Sequence, residues 1–275
     1  MRERIMEIHR IGRDISVLSD QLEAPGVGFI PVNAFVMHAA EPVVVDTGLS
    51  LPDRDFLASL GAVVDPADVR WIVLTHPDRD HTGGLFALLE AAPRARVVTT
   101  FLSAGYMSAE RPIPPDRLYL LNPGQTLDAG DRTLTAYRPP LFDNPGTIGV
   151  FDGRTRACFS SDCFGAPLPD AQLAVCGDVR DIDPAHRRAA QLLWASVDSP
   201  WVHNVDRDRY LATIEPLRAM DPAWILSTHL PPAAGHLAEF LDVLEEVPQT
   251  APWVGPDQQS LEAMLAQFEP TPVVG

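Results

Sequence analysis

The segment from Thr75 to Gly84 concentrates residues that can bind metal. It reads Thr-His-Pro-Asp-Arg-Asp-His-Thr-Gly-Gly, so four potential ligands fall within six positions: His76, Asp78, Asp80 and His81. Imidazole nitrogens and carboxylate oxygens are common protein ligands of transition metals. The first three alternate along the chain, so an extended backbone directs them to the same side. The last two are adjacent and can face one ion if a helix begins there.

The same segment can also be interpreted as a polar loop. An Asp ahead of a helix commonly caps it by accepting from backbone N–H groups, so Asp80 alone would most often be a cap. Four ligand types this close together, directly after the apolar run Trp71 to Thr75, favour the metal site instead. Gly83 and Gly84 support this interpretation because backbone without side chains can approach a bound ion.

The pattern His76-x-Asp78-x-Asp80-His81 resembles the metal-binding signature of the metallo-β-lactamase superfamily, which is usually His-x-His-x-Asp-His. An acidic residue in place of the second histidine is similar to the flavodiiron branch, which has Glu there. Residues 43–48, Val-Val-Val-Asp-Thr-Gly, resemble the strand and turn that precede this signature. The resemblance implies that the Asp of that turn orients neighbouring ligands and does not bind metal itself.

Two later segments extend the resemblance, which covers roughly residues 30–235. Residues 159–165, Phe-Ser-Ser-Asp-Cys-Phe-Gly, are similar to the flavodiiron segment in which an Asp bridges both metals, and this assigns Asp162. Residues 225–229, Ile-Leu-Ser-Thr-His, resemble the strand and final histidine ligand, here His229. The implied centre holds two metal ions, which in such sites lie about 3.5–4 Å apart.

One expected ligand is missing. The superfamily pattern has a third histidine between Asp80 and Asp162, near residues 138–140, but no His occurs from residue 82 to residue 185. Asp143, in Phe-Asp-Asn-Pro, is the replacement that the sequence offers. Because an Asp in this context also forms Asx turns, ligand and turn residue stand as equal alternatives.

The resemblance implies a ligand set for each ion. The first ion is expected to be bound by His76, Asp78, Asp162 and, if it is a ligand, Asp143. The second is expected to be bound by Asp80, His81, Asp162 and His229. No catalytic residue beyond these ligands and no organic cofactor are expected. Three further side chains could line the pocket: Arg79, Cys163 and His203.

This ligand set favours a diiron centre, with manganese and zinc as alternatives. Zinc hydrolases of the superfamily use histidine-rich sites, whereas up to four carboxylates shift the preference toward iron or manganese. The resemblance implies a protein that binds or reduces O2 or NO or oxidises a small substrate. Two alternatives stay open: a hydrolase that opens an ester, lactone or thioester with a bridging hydroxide, and a non-catalytic diiron oxygen sensor. An enzyme is expected, and an oxidoreductase is favoured over a hydrolase.

The source of electrons follows from the same resemblance. Flavodiiron enzymes carry a flavin domain, whereas the roughly forty residues after residue 235 contain no Gly-rich phosphate loop. A reductase of this kind would take electrons from a separate protein or from its substrate.

The scaffold must end several strands at the site. Apolar runs predict strands at 43–46, 71–75 and 95–99, with helical patterns at 52–60 and 85–92 between them. Turn residues separate short strands between 118 and 159, and a further strand is expected at 223–227. Helices are predicted at 184–197, 207–219, 233–246 and 258–268. The fold class is α/β. The resemblance implies a four-layer αβ/βα sandwich, and we expect one such domain over residues 1–275.

Composition excludes several other functions. The 275 residues carry 37 acidic and 21 basic side chains, a formal charge of −16, which disfavours nucleic acids and anionic membranes as partners. Every basic residue is Arg, and the absence of Lys excludes P-loop ATPases and Schiff-base enzymes. Three cysteines, no signal peptide and no long apolar run predict a cytoplasmic protein. Its expected ligand is a small molecule or a diatomic gas. The oligomeric state is left open, with a homodimer among the options.

Overall fold

Two β-sheets pack face to face in the computed structural model, which describes residues 5–268. The first sheet has seven strands in chain order: β1 Glu7–Ile11, β2 Ile15–Ala24, β3 Gly28–Met37, β4 Val43–Val45, β5 Trp71–Val73, β6 Arg96–Thr99 and β7 Leu118–Leu120. Strands β1 to β4 pair antiparallel, and β4 to β7 pair parallel.

The second sheet has six strands. In chain order they are β8 Thr126–Asp128, β9 Thr133–Tyr137, β10 Gly149–Asp152, β11 Ala157–Phe159, β12 Trp224–Leu226 and β13 Ala233–Ala234. Their order across the sheet is β13-β12-β11-β10-β9-β8. Strands β11 and β12 pair parallel, so their carboxyl ends lie at the same edge.

Helices cover the outer faces of both sheets. The α-helices are α1 Phe56–Gly61, α2 Arg79–Thr82, α3 Leu85–Ala91, α4 Phe101–Glu110, α5 Ala171–Ala174, α6 Pro184–Asp198, α7 Arg207–Met220, α8 Leu237–Glu246 and α9 Gln258–Phe268. Short 3-10 helices occur at Pro66–Asp68, Pro115–Arg117, Val179–Asp181, Pro200–Asn204 and Val247–Gln249. No helix among the described residues combines the length and apolar character that crossing a membrane requires.

Three apolar clusters hold the layers together. The central cluster lies between the sheets and includes Phe35 and Phe159, whose rings pack edge to face with their centroids 5.3 Å apart. A second cluster packs α1, α3 and α4 on the first sheet, and a third packs α6, α7 and α8 on the second. The layer order is therefore helix, sheet, sheet, helix, which confirms the predicted α/β sandwich.

The predicted strands from residue 43 onward form as expected, but the three N-terminal strands were not predicted. Their alternation is obscured by polar side chains such as Ser16, Ser19 and Asp20, which are buried. Helix α4 was also missed, because its exposed Phe101 and internal Gly105 obscure an amphipathic pattern. Helix α8 begins at Leu237, not at 233, because the two preceding alanines pair with β12.

Candidate metal centre

Six of the seven predicted metal ligands lie at the carboxyl ends of β5, β11 and β12, and Asp143 lies in the loop between β9 and β10. The loop and short helix α2 after β5 carry His76, Asp78, Asp80 and His81. The turn after β11 carries Asp162, and the loop after β12 carries His229. Because β5 belongs to the first sheet and the other two strands to the second, the sandwich itself brings the three connections together.

Three of these residues form a histidine-rich position: Asp80, His81 and His229. Their ligand atoms all lie within 4.8 Å of one another. Asp80 Oδ2 is 3.4 Å from His229 Nε2, and its Oδ1 is 3.8 Å from His81 Nε2. Both histidines are buried, so solvent does not reach this position from the side of the two imidazoles.

A second group forms a carboxylate-rich position: His76, Asp78 and Asp143. Their ligand atoms also lie within 4.8 Å of one another. His76 Nε2 is 3.8 Å from Asp143 Oδ1 and 3.9 Å from Asp78 Oδ2. His76 is buried, whereas the side chains of Asp78 and Asp143 are 47% and 28% exposed, so solvent reaches this position.

Asp162 lies between the two positions. Its Oδ1 is 3.0 Å from His81 Nε2 and 3.1 Å from His229 Nε2, while its Oδ2 is 3.4 Å from His76 Nε2. Each carboxylate oxygen thus faces a different position, which is the arrangement that a bridging carboxylate requires.

Two buried atoms at this junction, His81 Nε2 and Asp162 Oδ1, lie 3.0 Å apart but form no hydrogen bond of acceptable geometry. Leaving buried polar atoms unpaired costs free energy, and native structures do so rarely. A metal ion would satisfy both atoms, and the convergent nitrogen and oxygen donors fit a pair of transition-metal ions. The residues present therefore fit the dinuclear group that the sequence pattern implies.

Asp46, after β4, holds the histidine-rich position from behind. Its carboxylate accepts hydrogen bonds from Thr75 N at 2.9 Å, from Thr228 Oγ1 at 3.2 Å and from His81 Nδ1 at 2.8 Å. Donation from Nδ1 leaves the Nε2 lone pair of His81 directed at the site. Carboxylates placed behind ligand histidines commonly fix the ring and its tautomer in this way.

The other two imidazoles are fixed through the same ring atom. His229 Nδ1 donates to the carbonyl oxygen of Pro31 at 2.7 Å. His76 Nδ1 donates to Ser161 Oγ at 3.1 Å, and that hydroxyl donates to Thr75 Oγ1 at 2.9 Å, which in turn donates to Asp46. All three rings thus present Nε2 to the site.

The electrostatics of the site show strong coupling between its histidines and carboxylates. Burial alone would lower the pKa of His81, but Asp46 and Asp162 outweigh it and raise that pKa well above its usual value. For His229 burial is likewise outweighed, by Asp162, and the pKa rises to about 9. Burial raises the pKa of Asp143 to about 6, with the neighbouring Asp162 adding to the shift. The site therefore favours extra positive charge, either protons or metal ions.

The turn around Asp143 is formed by its neighbour. Asn144 Oδ1 accepts from Gly146 N at 2.8 Å, so Asn144 makes the Asx turn that the sequence allowed for Asp143. Asn144 Nδ2 also reaches Asp78 Oδ1 at 3.5 Å. The Asp143 carboxylate lies instead beside His76.

The three side chains predicted as pocket candidates have different surroundings. Arg79 is exposed and pairs with Glu110 at 3.0 Å. Cys163 is buried next to Asp162, and burial raises the pKa of its thiol, which keeps it protonated. His203 Nε2 lies 3.0 Å from Ser196 Oγ, and no contact joins it to the ligand cluster within residues 5–268.

Sequence reasoning missed two residues of helix α6. Trp194 Nε1 donates to the carbonyl oxygen of Asp162 at 3.0 Å, and the centroid of its ring lies 4.7 Å from that of His229. Asp198 has a carboxylate oxygen within 4.8 Å of those of Asp143 and Asp162. Neither residue belongs to a local motif. The only sequence signal is their spacing of four residues, which places both side chains on one face of the helix.

Comparison with known proteins decides the family. A family model described as the metallo-beta-lactamase superfamily matches residues 27–229. This chain belongs to the metallo-β-lactamase superfamily. Within that superfamily its sequence relatives are flavodiiron proteins, which agrees with the acidic residue at position 78.

Three curated relatives illustrate the similarity. The rubredoxin-oxygen oxidoreductase of Megalodesulfovibrio gigas is 25% identical over 171 residues, 62% of this chain and 41% of that protein. The type A flavoprotein fprA of Rhodobacter capsulatus is 32% identical over 153 residues, 54% of this chain and 35% of that protein. An anaerobic nitric oxide reductase flavorubredoxin of Salmonella arizonae is 25% identical over 142 residues, 51% of this chain and 30% of that protein. The chain thus spans less than half the length of each.

Solved structures show the same fold. The rubredoxin oxygen:oxidoreductase of Desulfovibrio gigas superposes with a TM-score of 0.74 at 19% identity, over 88% of this chain and 61% of that one. The flavodiiron protein of Giardia intestinalis gives 0.74 at 14% identity, over 90% of this chain and 61% of that one. At these identities the likeness establishes the four-layer fold.

Proposed function

We propose that this chain binds two iron ions, one at the histidine-rich and one at the carboxylate-rich position, and reduces O2 or NO. The observation that carries the proposal is the position of Asp162, whose two oxygens face histidines of different positions at 3.0–3.4 Å. Two relatives support the choice of substrate, since one is named an oxygen oxidoreductase and another a nitric oxide reductase.

The donor set supports iron. Three imidazoles and at least four carboxylates surround the two positions, and oxygen-rich sites with two histidines on one ion are typical of non-haem iron. When bound, a pair of iron ions would supply the redox equivalents for reducing the gas. The protein's own residues hold the three imidazoles with Nε2 facing inward and place Asp162 between the positions.

The electrons would come from a separate redox protein. A relative whose name pairs rubredoxin with oxygen supports a small iron–sulfur donor of that kind.

Metal analysis and turnover test the proposal together. Protein purified without added metal should contain about two iron ions per chain, as two-metal sites do. Protein that has been reduced anaerobically and is kept with excess chemical reductant should consume added O2 or NO over many turnovers. The Asp162→Asn variant serves as the inactive control.

Other results would contradict the proposal. About two zinc ions per chain, no visible absorption and hydrolysis of an ester, lactone or thioester would establish the hydrolase. A single stoichiometric oxidation by O2, without further consumption when reductant is in excess, would establish a sensor.

A further inference from the structure

Helix α6 ends at an acidic residue that faces the candidate metal centre. Asp198 is its last residue, and a carboxylate oxygen of Asp198 lies within 4.8 Å of carboxylate oxygens of both Asp143 and Asp162. Ser199 Oγ donates to Asp198 Oδ2 at 3.1 Å, which orients the group. The side chain is half-buried, beside a small cavity that Asp162 and Trp194 also line.

The position of Asp198 is fixed by a contact one turn earlier in the helix. Trp194 Nε1 donates to the carbonyl oxygen of Asp162 at 3.0 Å. Residues four apart share a helix face, so the contact that anchors Trp194 to the Asp162 turn also sets Asp198 against that turn. The packing of α6 on the second sheet therefore places Asp198 next to the turn that carries Asp162.

Three carboxylates meet here. Among the described residues, the basic side chains that pair with Asp143 and Asp162 are the ligand histidines, and none of these ion pairs includes Asp198. Within residues 5–268 no Arg forms an ion pair with Asp143, Asp162 or Asp198. A helix carboxyl end adds partial negative charge, which further disfavours an anion at Asp198. Carboxylates brought together in this way are stable only if they bind cations or protons.

An independent observation indicates a metal ion. Asp162 Oδ1 and His81 Nε2 lie 3.0 Å apart without forming a hydrogen bond of acceptable geometry, and their side chains are only 4% and 0% exposed. Both atoms face the histidine-rich position, and an ion bound there would share the Asp162 carboxylate with the group formed by Asp143, Asp162 and Asp198.

From this geometry, and resting on the proposed dinuclear centre, we propose that Asp198 is an additional ligand of the ion at the carboxylate-rich position. Together with Asp143 it would take the place of the missing third histidine. That ion would then have one nitrogen donor and otherwise oxygen donors, whereas the ion at the histidine-rich position keeps two nitrogens. Oxygen-rich sites suit harder ions such as Mn²⁺ and Fe²⁺ better than nitrogen-rich sites do.

Metal titration of the Asp198→Asn variant tests this assignment. Metal-free protein is titrated with Mn²⁺ against a chromophoric chelator. We expect one of the two binding events to weaken by about 10-fold to 100-fold or more, the range seen when groups around a bound metal are removed. The other event should stay at wild-type affinity. Asp242→Asn, an exposed acid on α8, is the matched control and should leave both unchanged.

A stability measurement separates a metal ligand from a structural residue. Metal-free Asp198→Asn should be at least as stable as the metal-free wild type, because a repelling carboxylate has been removed. Its gain in melting temperature on adding Mn²⁺ should be smaller. The assignment would be overturned if Asp198→Asn bound both ions with wild-type affinity, or if the binding of both ions weakened equally. A loss of stability seen only in the metal-free protein would also overturn it. None of these measurements depends on O2 or NO reduction. The ligand assignment can therefore fail while the proposed activity is confirmed, and the proposed activity can fail while the assignment is confirmed.

Discussion

The histidine-rich and carboxylate-rich positions are neighbours, but different kinds of structure hold them. His81 and His229 are buried, and each is anchored from behind, by Asp46 and by the Pro31 carbonyl. Asp78 and Asp143 are partly exposed and lie in loops. Only His76 on that side has a buried ring with a fixed tautomer.

The difference shows where this chain keeps the superfamily pattern and where it departs from it. The position held by strand ends and backbone acceptors retains its expected histidines. The position held by loops lacks the expected third histidine, and carboxylates of the 142–145 loop and of the end of α6 lie beside it. Loop side chains tolerate such exchange because fewer packing contacts constrain them.

The largest effect is expected where the two positions meet. Asp162→Asn removes the charge that both share, so we expect both ions to bind at least about 100-fold more weakly, beyond the usual loss for a supporting group. Metal content per chain after gel filtration measures this. Retention of one ion with wild-type affinity would show that Asp162 serves a single position.

Variants of one position should leave the other intact. His229→Gln and Asp143→Asn are each expected to retain one ion per chain, and the double variant none, because each removes a donor from a different group. Stoichiometry by metal analysis checks the three proteins in parallel. If Asp143→Asn keeps two ions with wild-type affinity, Asp143 is not a ligand.

Asp46→Asn tests the support behind the histidine-rich position. The amide cannot accept all the hydrogen bonds that the carboxylate receives, so His81 loses its fixed tautomer. We expect the affinity of that position to fall about 10-fold to 100-fold. The free energy of unfolding should fall by about 1–3 kcal/mol. Stepwise metal titration and urea unfolding measure the two effects, and equal weakening of both positions would contradict a local role.

The smallest effect is a pH dependence that distinguishes the metal-free from the metal-loaded protein. The pKa of His229 is raised from 6.5 to about 9 in the metal-free fold, so its contribution to stability is fully present below pH 6.5 and is lost as the pH rises through about 9. His81 shifts in the same direction.

Urea unfolding between pH 6 and 10 tests this dependence, with chelator and with metal in parallel samples. The chelated protein should lose stability across that range. The metal-loaded protein should not, because ions bind the neutral imidazoles. Flat stability of the chelated protein would contradict the assigned shifts.

Much of the site could be predicted from sequence because its ligands stand in short motifs. The spacing of His76 to His81 after one strand indicated a metal site. The resemblance of the segments around Asp162 and His229 to the flavodiiron family selected the other two. The N-terminal strands escaped prediction because buried polar residues such as Ser16 and Asp20 interrupt their pattern. The contacts of Trp194 and Asp198 with the site were not predicted, because the sequence of a helix does not show which element its face packs against.

The sequence by itself determined the sandwich, its superfamily and the identity of most candidate ligands, because strand ends and their motifs are local features of the chain. Only the tertiary structure decided which ligands share a position, that Asp162 lies between the two positions, and that Asn144 makes the turn beside Asp143. It also placed the end of α6 beside the carboxylates. Those relations depend on two sheets and a distant helix packing together, and contacts of that range are set by the burial of apolar surface between layers.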